Sequence, residues 1–408
     1  MNNVKYIPLS DISQINPQTD LRGIDDSADV SFIPMADVSE SGVWINHQTR
    51  SVKDIRNGYT CFQENDILFA KITPCMENGK GAHAVNLLNG VGFGTTEFHV
   101  LRANSRAYPR FIYYWTMDEG LRRKAEARMT GSAGQRRVPA DFFCEFKVPF
   151  LPLPEQRRIA EILDTIDEAL QKTETLISKL RAMKQGLLHD LLTRGLDKDG
   201  KLRDPKTCLI PFSDVVQVNP TTELHGLNDE TDVSFIPMSD VSESGQWVNR
   251  QTRPLEDIRN GYTCFRENDV LFAKITPCME NGKGGHAIGL VNGIGFGTTE
   301  FHVLRASVKI EPRYIYHWTM TEELRRKAEA QMTGSAGQRR VPTAFFDNFK
   351  IPLFPRSEQR KIVEILDAHD ARIRIEEQYR DKLKLQKKGL MHDLLTGKVR
   401  VKHMEQLA

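Results

Sequence analysis

The hydrophobic pattern of residues 1–150 is that of a mixed domain. Short apolar runs at Val30–Met35, Ile67–Ile72 and Phe98–Leu101 alternate with turns rich in glycine, asparagine and proline. Such runs predict β-strands. The clearest helical pattern lies at Tyr108–Arg128. We therefore expect an α+β fold, that is, a mixed α/β domain with short strands and few helices.

The hydrophobic positions of residues 154–193 instead follow a heptad spacing. Pro154 suits the first turn of a helix, and no other proline follows before Pro205. The two seam positions are held mainly by leucine and isoleucine: Ile159, Ile166, Leu180 and Leu187 in one, and Leu163, Leu170, Ile177 and Leu191 in the other. Five heptads predict a coiled-coil-like helix, roughly 60 Å long at 1.5 Å per residue.

Both patterns return 203 residues later, without insertion or deletion. The run KITPCMENGKG at 71–81 recurs at 274–284, and MTGSAGQRRVP at 129–139 recurs at 332–342. Across the 74 residues from Val30 to Ala103, 60 are identical in the second copy. A period of about 200 residues is too long for a solenoid and indicates a duplicated unit with pseudo-two-fold symmetry.

The second heptad region is more polar than the first. It spans Glu358–Leu395 and keeps six apolar seam residues: Ile362, Leu366, Ile373, Leu383, Leu390 and Leu394. Four other seam positions are polar: His369, Glu376, Arg380 and Lys387. Because a lone amphipathic rod cannot bury its stripe, we expect the two rods to pack together. A two-fold relation would make them antiparallel, with one globular domain at each end.

The predicted organisation has four parts. Two globular domains occupy residues 1–150 and 207–353, and two helical regions occupy residues 151–206 and 354–408. The chain of 408 residues has 56 Lys and Arg against 54 Asp and Glu, so its net charge is +2. It has no apolar run long enough to span a membrane and no apolar signal core at its start, and its six cysteines include no CxxC pair. We expect a soluble protein of a reducing compartment.

Motifs for catalysis are incomplete. Asn16-Pro17 begins like an amino-methyltransferase motif, but the second proline and the aromatic residue are missing. Glu77-Asn78-Gly79-Lys80 ends like a phosphate loop, but Pro74 stands where the first glycine is needed. Cys75 and His83 are conceivable metal ligands, although a buried thiol and an ordinary histidine are the simpler interpretation. We therefore predict no catalytic residue and no metal site in this chain.

Two repeated loops are better suited to binding. The loop GSAGQRR at 131–137 follows a segment with several basic residues and brings Ser, Gln, Arg and backbone donors together, as phosphate oxygens and base edges require. Residues 71–80 form a second polar loop. Our candidate DNA-contacting residues are Lys71, Thr73, Asn78, Lys80, Ser132, Gln135, Arg136 and Arg137, with their copies Lys274, Thr276, Asn281, Lys283, Ser335, Gln338, Arg339 and Arg340.

The alternative is that both loops are solvated turns with structural glycines. Trp44 and Trp247 leave a similar choice, since each could pack on a base or sugar or belong to the core. The basic residues gather at 121–139 and 324–342, and we expect the acidic residues of each domain to lie elsewhere.

The whole chain resembles the specificity (S) subunit of Type I restriction–modification enzymes. The runs ENDILFAKITPCMENGKG, TGSAGQRRVP and LPLPEQRRIAEILD, the last leading into a long helix, carry the resemblance. It implies two target recognition domains, each reading half of a split DNA site, and two antiparallel spacer helices. It also implies a subunit without catalysis, in the prokaryotic cytoplasm and away from membranes.

The resemblance further implies the partners. Two methyltransferase (M) subunits would transfer a methyl group from S-adenosylmethionine to adenine N6. Two restriction/translocase (R) subunits would use ATP, with Mg. These cofactors would belong to the partners and none to this chain.

The near identity of the two domains departs from the usual pattern of that family. Two nearly identical recognition domains related by a two-fold axis predict a bipartite inverted repeat as the DNA target. They also predict that residues 1–205 alone form a homodimer that replaces the full chain. The exchanges His47/Arg250, Gln63/Arg266, Ala36/Ser239 and Asn86/Gly289 could alter a base contact. A fused single-chain enzyme and a duplicated scaffold protein are the alternative interpretations.

Overall fold

The computed structural model describes residues 5–132, 134–204, 209–224, 226–335 and 337–401. The chain divides into two compact units. One unit combines the residues up to Thr173 with those from Tyr379 onward, and the other is Glu174–Gln378. Each long helix therefore contributes its first half to one unit and its second half to the other.

In the ranges that the structure describes, twenty short strands form two matching sets. The first set lies in Tyr6–Pro149, which we call the first repeat: β1 Tyr6–Pro8, β2 Ser13–Ile15, β3 Asp29–Ile33, β4 Gln48–Ser51, β5 Thr60–Gln63, β6 Ile67–Ala70, β7 Gly81–His83, β8 Val91–Gly94, β9 Phe98–Ala103 and β10 Lys147–Pro149. The second set lies in Ile210–Ile351, the second repeat: β11 Ile210–Pro211, β12 Val216–Val218, β13 Asp232–Ile236, β14 Gln251–Pro254, β15 Thr263–Arg266, β16 Val270–Ala273, β17 Gly284–His286, β18 Ile294–Gly297, β19 Phe301–Ala306 and β20 Lys350–Ile351.

The described part of the chain also has ten α-helices: α1 Val52–Ile55, α2 Pro109–Met117, α3 Glu119–Ala127, α4 Phe142–Glu145, α5 Leu153–Thr193, α6 Leu255–Ile258, α7 Pro312–Thr319, α8 Glu322–Ala330, α9 Phe345–Asn348 and α10 Arg356–Leu390. A π-helical turn, Met391–Leu395, continues from α10. None of the helices in the described ranges is both long and apolar enough to cross a membrane.

Each repeat contains two four-stranded sheets and one two-stranded sheet. In the first repeat the strand orders are β2-β9-β6-β7, β4-β3-β8-β5 and β1-β10. The second sheet is mixed, because β3 runs parallel to β8, with Phe32 opposite Phe93. The second repeat has the same orders and the same parallel pair. The predicted strands and the mixed α/β class are therefore confirmed.

The helical pattern at Tyr108–Arg128 is confirmed, but it does not form one continuous helix. The structure has two helices there, α2 and α3, separated at Asp118. Asp118 has an extended backbone (φ −70°, ψ 128°), and its carboxylate accepts a hydrogen bond from Leu121 N at 2.9 Å. An aspartate that caps a helix in this way starts a new helix instead of continuing the old one. Thr321 takes the same place in the second repeat.

The heptad seam of α5 is confirmed by its burial. Four of its apolar seam residues, Ile159, Leu163, Ile177 and Leu191, are buried, and the other four, Ile166, Leu170, Leu180 and Leu187, are half-buried. In the first unit, Ile159 and Leu163 share one apolar cluster with Leu395. Asp167 Oδ1 lies 2.5 Å from Lys387 Nζ, and Glu155 Oε2 lies 2.6 Å from Arg400 Nη2. Residue numbers therefore rise along one segment as they fall along the other. The helix segments in this unit are thus antiparallel.

The second unit repeats this packing with the roles of the helices exchanged. Leu188 and Leu191 of α5 share a cluster with Ile362 and Leu366 of α10. Here Lys184 pairs with Asp370 at 2.5 Å. The antiparallel, coiled-coil-like pairing is therefore present in each unit.

A buried glutamate at the start of each long helix holds the segment that follows the other helix. Glu155 accepts hydrogen bonds from the Arg400 guanidinium and from Val401 N at 3.1 Å. Glu358 accepts from Arg203 and from Leu196 N at 2.8 Å. Charge-assisted bonds of this kind fix the start of one helix to the end of the other within each unit.

Candidate nucleic-acid interface

The two predicted binding loops lie side by side in each repeat. In the first repeat Thr73 N donates to Arg136 O at 3.0 Å, and Val138 N donates to Lys71 O at 2.9 Å. The same two bonds recur between 274–276 and 339–341. We call residues 71–80 with 130–138, and their copies 274–283 with 333–341, the paired-loop surface. The two loops that the sequence predicted separately therefore belong to one surface.

The tip of the GSAGQRR loop is a tight hairpin. Thr130 and Arg137 form an antiparallel bridge, and Gln135 N donates to Ser132 O at 3.0 Å. Gly131 has φ of +125°, and a Cβ on it would lie 2.9 Å from Gln135 O, so glycine is required there. Ser132 and Gln135 are exposed, as are Ser335 and Gln338 in the second repeat.

The two arginines of this loop are paired with glutamates. Arg137 makes a two-pronged ion pair with Glu97, with Nε and Nη2 bonds of 2.9 and 2.8 Å, while 43% of its side chain stays exposed. This bond lowers the pKa of Glu97. Arg136 Nη2 lies 3.7 Å from Glu77 Oε1. The second repeat has the same pairs: Arg340 with Glu300 at 2.8 Å and Arg339 with Glu280 at 3.7 Å.

The expectation that acidic residues lie away from the basic segment is therefore wrong. Glu77 and Glu97 come from 59 and 40 residues earlier in the chain and meet the arginines only in the fold. A third basic residue, Arg128, pairs with Glu145. The interface has both signs of charge side by side, which agrees with the small net charge of the chain, +2.

The candidate residues of the loop 71–80, and of its copy 274–283, mainly support the fold around it. Lys80 Nζ donates to Met35 O at 2.9 Å, and Lys283 Nζ donates to Met238 O at the same distance. Thr73 Oγ1 donates to Glu77 at 2.7 Å, as Thr276 does to Glu280 at 2.8 Å. Lys71 and Lys274 are half-buried, while Asn78 and Asn281 are exposed. Contact of these residues with DNA stays a prediction.

A buried arginine lies beneath the loop and was misread from the sequence. Arg122 looked like part of the basic segment, but it is only 7% exposed and donates to Met76 O at 2.6 Å and Lys80 O at 3.3 Å. Burial lowers the pKa of Arg122 to about 10. Arg325 occupies the same place in the second repeat. These arginines position the loop and do not face solvent.

A hairpin that carries the tryptophan lies next to the paired-loop surface. We call residues 37–48, with the copy 240–251, the Trp hairpin. Asn78 Nδ2 donates to Glu40 Oε1 at 3.0 Å and so ties the hairpin to the loop. Asp37 accepts from Asn46 at 3.0 Å and from Gln48 at 2.6 Å, which holds the two arms together. Trp44 is half-buried at this edge, packed against a core cluster on one side.

The structure gives Cys75 and His83 no metal-binding partners among the described residues. In the part of the chain that the structure describes, the one group with metal-ligand spacing consists of His317, Asp367 and Asp370. Its carboxylates already pair with Arg313 and Lys184 at 2.8 and 2.5 Å. Burial lowers the pKa of His83 to about 4, so the ring is neutral near pH 7.

Comparison with known proteins decides which family has this architecture. Residues 1–182 and 211–385 match the family model described as Type I restriction modification DNA specificity domain. The chain belongs to this family. Its two matched stretches show that each repeat, together with the helix that follows it, corresponds to one specificity domain.

Two relatives from Escherichia coli resemble parts of this two-domain chain. The Type I restriction enzyme EcoAI specificity subunit is 37% identical over 193 residues, which is 46% of this chain and 32% of that one. The EcoEI specificity subunit is 40% identical over 156 residues, 38% of this chain and 26% of that one. The chain thus spans about a third or less of the length of these relatives. The MjaVIII specificity subunit of Methanocaldococcus jannaschii is 25% identical over 67% of both chains.

Solved structures share the fold of the two specificity domains and their helices. A chain from a type I restriction–modification system superposes with a TM-score of 0.58 at 16% identity, covering 98% of this chain and 99% of that one. The S subunit of such a system from M. genitalium gives a TM-score of 0.56 at 15% identity over 97% of both chains. At such low identity the likeness concerns the fold alone.

Proposed function

We propose that this chain is the sequence-reading subunit of a Type I restriction–modification complex, and that each paired-loop surface contacts double-stranded DNA. The observation that carries the proposal is the exposed, rigidly supported hairpin with Gln135, Arg136 and Arg137, present unchanged in both specificity domains. Its donors suit phosphate oxygens and the edges of adenine and guanine.

The arginine–glutamate pairs allow the arginines of this surface to change partner when DNA binds. A half-exposed ion pair contributes little to stability, so a DNA oxygen can replace Glu97 as the partner of Arg137 at small cost. Gln135 and Asn78 would then read an adenine edge. Arg136 and Arg137 would contact phosphate or guanine. Lys71 and Lys80 would contact the DNA backbone. The matching residues of the second specificity domain would do the same.

The target would be a bipartite inverted repeat. The two paired loops are identical in sequence and in their backbone pairing. If the domains are related by a two-fold axis, their paired loops address opposite strands and read the same bases twice. The gap between the half-sites would then depend on the paired helices.

Partner subunits would supply the chemistry. Two methyltransferase subunits would methylate adenine N6 with S-adenosylmethionine, and two restriction/translocase subunits would use ATP and Mg, all in the prokaryotic cytoplasm. The carboxylates beside the arginines predict weak DNA binding by this chain alone, with the partners adding non-specific contacts to phosphates.

The test compares full-length variants, each bound to its methyltransferase subunits, in DNA-binding titrations over a series of salt concentrations. Replacing both Arg137 and Arg340 by alanine should weaken binding at least tenfold and reduce the salt slope by about 2. Replacing Glu97 and Glu300 by glutamine should tighten binding, because the arginines are no longer held.

The matched control is Arg158→Ala, since Arg158 is also an exposed arginine paired with a glutamate, Glu161, but on α5. It should bind like the unaltered protein. Unchanged affinity and salt slope in the arginine variants would refute the assignment of the paired-loop surface. Complete absence of DNA binding by the unaltered complex would favour a duplicated scaffold instead.

A further inference from the structure

The two specificity domains differ where the Trp hairpin meets the segment beside it. Residues 71–81 and 129–139 are the same in both copies, so the paired-loop surface has one sequence. Between 30–103 and 233–306, however, 14 of 74 positions differ (74 minus 60), and seven of them fall at 43, 45 and 47 of the hairpin and at 82, 85, 86 and 88.

In the second domain three of these positions form one arrangement around Trp247. Arg250 Nη1 donates to Gly289 O at 3.1 Å, and its guanidinium lies 5.3 Å from the Trp247 ring centroid. Gly285 leaves space for the indole, because a Cβ there would lie 2.8 Å from Trp247 Nε1. Among the described residues, this buried Nε1 has no hydrogen-bond partner.

In the first domain the same places hold a different, equally consistent set. His47 lies against Trp44, with ring centroids 3.9 Å apart, and Trp44 Nε1 donates to Asn46 O at 2.6 Å. Ala82 stands where the second domain has Gly285, and Asn86 stands where it has Gly289. Asn86 tolerates its φ of +58°, as asparagine does better than most residues.

The exchanges depend on one another. A Cβ on Gly289 would come within 2.9 Å of Arg250 Nη1, so the arginine's position favours glycine there. A Cβ on Gly285 would displace Trp247 in the same way. Single exchanges would therefore disturb the arrangement, whereas the three together convert one set into the other. Both sets present an aromatic ring with an exposed basic or polar side chain on it.

We propose that the Trp hairpin contacts a base pair next to those read by the paired loops, and that His47 and Arg250 determine which base each domain prefers there. The inference rests on the proposed function, since it needs DNA on this face. A guanidinium held by Trp247 and Gly289 O suits the O6 and N7 acceptors of guanine, while one imidazole nitrogen makes a single, less selective bond.

The position of the hairpin supports this assignment. Met35 O, just before the hairpin, accepts from Lys80, and Asn78 donates to Glu40, so loop and hairpin form one continuous edge. In the second domain Lys283 donates to Met238 O in the same way. The two half-sites would thus agree at the bases read by the identical loops and differ at one position, with guanine in the half-site of the second domain.

The test maps methylated adenines by sequencing genomic DNA from cells that express the full chain with its methyltransferase subunits. The triple variant Gly285→Ala, Arg250→His, Gly289→Asn gives the second domain the arrangement of the first. The reciprocal variant Ala82→Gly, His47→Arg, Asn86→Gly does the opposite. Each should change the preferred base at one position of one half-site by tenfold or more, and each should make the motif fully symmetric.

The control exchanges Lys53→Glu and Glu256→Lys, which also swap residues between the copies but lie in α1 and α6, and should leave the motif unchanged. Retention of the original motif by both triple variants, changes at several positions, or loss of all modification in both would overturn the inference. An original motif with two identical half-sites would do so as well. If the unaltered complex methylates no bipartite site, the proposed function fails first.

Discussion

Lys184 Nζ lies 2.5 Å from Asp370 Oδ1 in the seam between the second half of α5 and the first half of α10. Their side chains are only 11% and 13% exposed. The equivalent residues of the other copy, Asp167 and Lys387, lie 203 positions away in the sequence and pair at the same distance in the other unit. Each unit therefore has an equivalent ion pair between its helices, which is buried in the second unit and half-buried in the first, where the side chains of Lys387 and Asp167 are 19% and 25% exposed.

Removal of the lysine should destabilise the second unit strongly. Lys184→Ala leaves Asp370 buried without its cation, which costs about 3 kcal/mol in the free energy of unfolding. Urea unfolding of the full chain measures this. Lys179→Ala, at an exposed position of the same helix, should change the free energy by less than about 0.5 kcal/mol. Equal effects of the two substitutions would mean that the pair is not important for stability.

The equivalence of the two ion pairs also predicts that the first half of the chain forms a homodimer. In a homodimer of residues 1–205, Asp167 of each copy would pair with Lys184 of the other and rebuild both ion pairs. Light scattering should give the mass of a dimer, and the fragment should restore modification in cells that lack the full chain. Asp167→Lys in the fragment should reduce dimer formation by at least tenfold. A monomer that restores no modification would contradict the prediction.

Much of the fold follows from local patterns, and the site does so only in part. Apolar runs predict β3, β6 and β9 of the ten strands described in the first repeat, and heptads predict α5 and α10 to within a few residues, because both patterns depend on neighbours in the sequence. The break at Asp118 was missed, since a capping carboxylate in an amphipathic stretch looks like a surface residue. The pairs of Arg136 and Arg137 were missed because their glutamates lie 40 to 59 residues away.

The buried arginine illustrates the same limit and gives a prediction of its own. Arg122→Met keeps the apolar stem but removes the charged donor from the carbonyls of Met76 and Lys80, which keep only their backbone bonds from Gly79 N and Ala70 N. The free energy of unfolding should therefore fall by about 1.5 to 3 kcal/mol, as for other hydrogen bonds to charged groups. Arg325→Met should do the same in the second repeat. Arg123→Met, one residue away and exposed, should have little effect on the urea midpoint. A stable Arg122→Met variant with weakened DNA binding would assign Arg122 to the DNA instead.

Stability should depend on pH through histidines whose pKa is lowered in the fold, among them the half-buried His83 and His286. Burial lowers the pKa of His83 and of His286 to about 4. Because the unfolded chain takes up these protons near pH 6.5 and the folded chain only near pH 4, the stability is lost as the pH falls through this interval. Each ring contributes about 3 kcal/mol. His83→Gln should flatten the dependence between pH 6.5 and 4 relative to exposed His189→Gln, and equal slopes would contradict the assignment.

The central claim is that two nearly identical domains read one split DNA target. The most direct measurement selects sites from a random DNA library with the full chain and its methyltransferase subunits, followed by sequencing of the bound fraction. We expect two short half-sites in inverted orientation, separated by a gap of fixed length and no preferred sequence. A single continuous site, two half-sites in the same orientation, or no enrichment would contradict the account.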